Sequence, residues 1–107
     1  MEAKQRSLKV YKTALGRKPF TAWMDANEGE KIWEIVMARL ERVKAGNLGK
    51  SRSVGEGVIE LKIKFQQGYR VYVGVDGSDI VLLLAGDKSS QDADIKAAKE
   101  YWRDYRA

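Results

Sequence analysis

The strongest periodic signal in the chain is helical. From Glu30 to Lys44, Ile32, Trp33, Val36, Met37, Leu40 and Val43 recur at spacings of three and four. Glu34, Arg39, Glu41 and Arg42 fall on the other side. That spacing predicts an amphipathic helix, stopped by Gly46 and Asn47. Upstream, SLKVYKTA (Ser7 to Ala14) alternates and reads as a strand. GRKPF breaks it, and Pro19 suits the first turn of a short helix, PFTAWMDA. Asn47 to Gly57 is polar and glycine-rich and reads as a loop. The alternation resumes in GVIELKIKFQQGYRVYVG, two strands around a tight turn. DIVLLLAG (Asp79 to Gly86) is apolar on both faces, as expected of a strand covered on both sides. A last helix is predicted from about Asp92 to Tyr105, with the stripe Ile95, Ala98, Trp102 and Tyr105 and with Ser89 or Ser90 as cap. The predicted order is strand, helix, helix, strand, strand, strand, helix. This is an α+β domain on an antiparallel sheet of about four strands.

The alternation also sorts the hairpin's side chains. Ile59, Leu61, Ile63 and Phe65 share one face with Tyr69, Val71, Val73 and Val75. With Gln66, Gln67 and Gly68 as turn, Lys64 is expected opposite Arg70, Lys62 opposite Tyr72, and Glu60 opposite Gly74. The polar face would then collect Glu60, Lys62, Lys64, Arg70 and Tyr72. Facing cations repel by about 0.2–1 kcal/mol on a sheet, and an anion between them reverses the sign. Tyr72 offers a ring for a base to stack on. A solvated, charged sheet face accounts for the same pattern equally well.

Composition narrows the chemistry. The 107 residues suit one domain. The chain has no cysteine and no histidine, which removes thiolate metal sites and Ser-His or Cys-His nucleophiles. Acid–base work would fall to Lys, Arg, Tyr, Asp or Glu. Net charge is +5. Between Lys44 and Tyr72 stand Lys44, Lys50, Arg52, Lys62, Lys64 and Arg70 against only Glu56 and Glu60. A local cationic surface suits an anionic partner, nucleic acid above all. Asp87, Asp92 and Asp94 lack calcium-loop spacing and read as charge at a helix start rather than as a metal site. MEAKQRSLKV has no apolar h-region and no run reaches membrane-span length, so a cytoplasmic protein is expected.

In this order, GRKPFTAWMD, ARLERVKAGNLG, VGEGVIELKI, GYRVYV, IVLLLAGDKSSQ and DIKAAKEYW resemble the addiction-module killer proteins. These are toxins of the RelE/ParE superfamily, and the likeness is nearest the HigB-type branch. It spans about residues 16 to 105. It implies a RelE-like fold, two N-terminal helices on the sheet, a C-terminal helix, no cofactor and no metal. It implies a cognate antitoxin from the same operon, a helix-turn-helix protein that would carry any DNA binding. RelE-like members cleave messenger RNA on the ribosome, whereas ParE-like members act on DNA gyrase. By resemblance, Arg70 would grip the scissile phosphate, Lys62 and Lys64 match the basic residues of the preceding strand, and Lys88 stands where a further arginine is usual. Lys62 or Lys64 would serve as base, and crowding by like charge favours a neutral amine. Lys50, Arg52 and Tyr72 would bind RNA. The family's late tyrosine has no counterpart in SSQDADI, and the histidines of some HigB-type toxins are absent.

Overall fold

The computed structural model describes residues 5–107. The reading of the first residues as lacking an h-region falls partly on 1–4, outside the described residues. Strand β1 (Ser7–Val10) leads to helices α1 (Pro19–Ala26) and α2 (Lys31–Lys44). Strands β2 (Ser51–Gly55), β3 (Val58–Ile63), β4 (Tyr69–Asp76) and β5 (Asp79–Asp87) follow. A 3-10 turn (Lys88–Ser90) then opens helix α3 (Gln91–Arg106). The sheet order is β1-β5-β4-β3-β2. The class is α+β.

Two sheet expectations are corrected. The sheet has five strands, not about four, and it is mixed, because β1 runs parallel to β5. The added strand is β2, which lies in the segment expected to be a loop and pairs antiparallel with β3. Its polar sequence fits its place: an edge strand has one neighbour, and most of β2 remains in contact with solvent.

The sheet is covered on both faces, and each face has its own core. On one, Phe20 and Met24 of α1 and Ile32, Val36, Leu40 and Val43 of α2 pack on Leu61, Ile63, Val71, Val73, Ile80 and Leu82. The α2 stripe is close to that predicted, except that Met37 is exposed and Arg39 is buried. On the other face, Ala98 and Trp102 of α3 cover Val58, Tyr72, Val81 and Leu83. The doubly apolar β5 thus serves both cores. Gly74 makes room on this face, since a Cβ there would enter the Trp102 ring.

The face expected to be wet and charged is therefore roofed by α3 over most of its length. Asp87 accepts a hydrogen bond from the Ser89 N–H and so opens the 3-10 turn, while Asp92 and Asp94 occupy the first turn of α3. The acidic trio thus acts at the helix start. No group of three or more potential ligating side chains forms a metal cluster among the described residues. None of the described helices is long and apolar enough to cross a membrane.

Candidate nucleic-acid interface

The hairpin register differs from the expected one by two residues. Ile63 pairs with Tyr69, Lys62 with Arg70, and Glu60 with Tyr72. Lys62, not Lys64, therefore faces Arg70. Lys64 lies past the strand end, in a five-residue turn completed by Phe65, Gln66, Gln67 and Gly68. A two-residue slip preserves which face each side chain takes, so Lys62 and Arg70 still share a side.

These cations meet at the turn end of the sheet. Lys50, Lys62, Lys64, Arg70 and Lys88 line one basin of about 330 Å³, together with Phe65 and Tyr69. No carboxylate lines it among the described residues. Lys50, Lys62, Lys64 and Lys88 form no ion pair among the described residues. A second depression of about 340 Å³ shares Lys50, Lys62 and Lys64 and adds Arg39 and Arg42. The shared lysines make the two depressions adjoin.

Three backbone devices build the basin. The Lys62 N–H donates to the Lys50 carbonyl at 3.0 Å, setting those residues side by side. The Lys88 N–H donates to the Gly68 carbonyl at 3.0 Å, which docks Lys88 on the hairpin turn. Arg39, only 5% exposed, reaches from α2 to donate to the carbonyls of Lys62, Leu48 (2.9 Å) and Lys50 (2.6 Å). Burial first and Arg42 second lower the Arg39 guanidinium's pKa below its ordinary value. Sequence reasoning placed Arg39 on the solvent side, because its charge hides its position beside the apolar stripe.

Arg70 is the arginine of the basin. Its side chain is 14% exposed. Its Nε and Nη1 are buried and have no hydrogen-bond partner among the described residues. Buried donors without a partner cost about 1–3 kcal/mol each. Both lie inside the protein, Nε toward Glu60 and Nη1 toward Gly68, so an oxyanion would meet the part of Arg70 that lines the basin, where a guanidinium matches its geometry. Nη1 also sits against Gly68, where a Cβ would approach to 3.2 Å.

Behind Arg70 stands Glu60, fully buried. It accepts from Arg52 Nε at 2.8 Å and from Gln91 Nε2 at 3.0 Å, and lies 3.9 Å from Arg70 Nε. Burial pushes its carboxyl pKa up, but the hydrogen bonds from Arg52 and Gln91 outweigh that and hold it below the usual carboxylate range. The sequence puts Glu60 on the polar face without a role at the site, and it gives no sign of Gln91. The available signal was a lone acid in the middle of a basic strand face.

Two expected RNA-binding residues do not join the basin. Tyr72 is 0% exposed beneath α3 and offers no face for stacking. Burial first, and the Glu60 charge second, raise its phenol pKa far above the ordinary range. Arg52 is half exposed but committed to Glu60. The aromatic rings bordering the basin are instead Phe65 and Tyr69, tilted against each other with centroids 6.3 Å apart.

No family model matches this chain. No solved structure matches it either. It is 42% identical over 81 residues to an uncharacterized protein of Haemophilus influenzae, a match spanning 75% of this chain and 82% of the relative. At that identity and coverage, the chain belongs to the same family as the Haemophilus influenzae protein.

Proposed function

We propose that this chain is a RelE/ParE-type toxin of a type II toxin–antitoxin module, acting as a ribosome-dependent messenger RNA interferase. The observation that carries the reading is Arg70. It is a nearly buried guanidinium whose exposed part lines a basin together with four lysines that form no ion pair among the described residues. The motif resemblance supports the same reading, as does the arrangement of two early helices on one sheet face and a C-terminal helix on the other. The two adjoining cationic depressions favour a polyanion over a single small anion.

In this reading the 2′ oxygen of a bound nucleotide attacks the adjacent phosphorus, and the bond to the 5′ oxygen breaks, leaving a cyclic phosphate. Lys62 or Lys64 takes the hydroxyl proton. Lys88 returns a proton to the departing oxygen. Arg70 grips the phosphate and stabilises the charge that develops on its free oxygens. The ribosome splays and orients the message, which is where positioning contributes most. A cytoplasmic site of action and an antitoxin from the same operon complete the reading.

Induction of the chain, with RNA ends and DNA breaks mapped side by side, tests it. Codon-periodic cuts in translated messages are expected, and Arg70→Ala should abolish them while leaving the fold intact. DNA breaks with intact messages would replace the nuclease with a gyrase inhibitor. Undiminished cutting by Arg70→Ala would remove the phosphate role.

A further inference from the structure

Glu60 poses a problem of charge. A carboxylate with no solvent exposure sits beside the guanidinium that the proposed function needs free for phosphate. A carboxylate and an arginine in low dielectric normally close into a bidentate pair, which would consume the donors. Here they do not close. Oε1 takes Arg52 Nε at 2.8 Å, and Oε2 takes Gln91 Nε2 at 3.0 Å. Arg70 Nε is left 3.9 Å from Oε2, within reach of its field but outside hydrogen-bond distance.

The geometry assigns Glu60 as the positioning residue of Arg70, a buried counter-charge that holds the guanidinium at the basin while Arg52 and Gln91 occupy its oxygens. The arrangement sits where β3, β4 and the start of α3 meet. The hairpin register places Lys62, two residues on from Glu60, directly opposite Arg70. Arg70 Nε is thus drawn inward, and the small part of the side chain that stays exposed lines the basin. This inference rests on the phosphate-binding reading and adds a residue that touches no ligand.

The sign of one substitution separates positioning from simple electrostatics. Glu60→Gln removes a negative charge next to an anion site. If Glu60 acted only through its charge, RNA would bind more tightly. As the positioning residue, its loss should weaken binding of a 2′-O-methylated, uncleavable RNA oligonucleotide by about tenfold, the scale of one misplaced charge-assisted contact. The same substitution in an Arg70→Ala background should change nothing further. Gln91→Ala, at a half-buried surface position, leaves all charges in place and frees Oε2 to capture Arg70. It should weaken binding in the same direction and serves if Glu60→Gln does not fold.

Equal or tighter binding by Glu60→Gln, or by Gln91→Ala where that is the variant read, overturns the assignment. So does an undiminished effect of Glu60→Gln without Arg70. If the wild-type chain binds no RNA, the proposed function fails, and the assignment is read from the Arg70 Nε–H resonance with inorganic phosphate as probe. A distinct signal that phosphate shifts in the wild type and that merges with the exposed arginines in the variant supports it. An unchanged Arg70 signal in the variant overturns it.

Discussion

Replacing Arg39 with methionine probes the support of the basin and leaves the basin's own cations in place, since Arg39 lines only the adjoining depression. Arg39→Met keeps the aliphatic stem and removes the donors that reach Lys62, Leu48 and Lys50. The Lys50 carbonyl retains the Lys62 N–H, so the loss falls hardest on Leu48 and Lys62. Each hydrogen bond from a charged donor contributes about 1.5–3 kcal/mol. Methionine recovers part of this, because a buried guanidinium carries a desolvation cost, the same cost that lowers its pKa. The net loss should be about 3 kcal/mol, a large share of the roughly 5–15 kcal/mol expected of a domain of this size. In urea, with a slope of about 1.5 kcal/mol/M, the unfolding midpoint should fall by about 2 M. RNA affinity should fall as well, measured under conditions where the variant is still folded, because Lys50 and Lys62 lose their common anchor and the adjoining depression loses a cation. A midpoint within about 0.5 M of wild type would refute the claim that Arg39 organises this backbone.

Three further outcomes follow from other parts of the molecule. Gly74→Ala drives a methyl group into the Trp102 ring and should cost about 1–3 kcal/mol, read as a lower midpoint in thermal melts. Glu60 has a folded-state pKa below that of an ordinary carboxyl, so its stabilising contribution is present above the ordinary value and is lost as pH falls through the depressed one. Urea midpoints followed from about pH 7 to about pH 3 should therefore drop further in the wild type than in Glu60→Gln. Lys88→Ala should lower RNA affinity and reduce the slope of log affinity against log salt by about 0.7, the share of one phosphate contact on a single strand.

Much of the fold was legible because side-chain period reports directly on burial. Ile32, Val36, Leu40 and Val43 defined α2, and the doubly apolar IVLLLA defined a strand with a core on each side. What escaped did so for particular reasons. A two-residue slip leaves the alternation of β3 and β4 unchanged, so the pattern could place Lys62 and Arg70 on one face without pairing them. β2 carries no apolar pattern because an edge strand needs little of one. The stripe on α3 was visible, but not the face it would cover. Val58, Tyr72 and Gly74 share that face and accept Trp102, which is why Tyr72 is buried rather than offered to a base. Arg39 and Glu60 are charges enclosed by partners distant in sequence, and such enclosure leaves no local periodic trace. Of the cations singled out in the sequence, Lys50, Lys62, Lys64, Arg70 and Lys88 line one basin, whereas Arg52 is held outside it by Glu60.

The most direct test of the central claim is an equilibrium titration of a fluorescent single-stranded RNA with the wild-type chain, Arg70→Ala and Arg103→Ala. Arg103 pairs with Glu56 away from the basin and controls for net charge. Arg70→Ala should weaken binding by about tenfold or more, and Arg103→Ala should leave it near wild type. Equal losses in the two variants, or none in either, would contradict a phosphate site centred on Arg70.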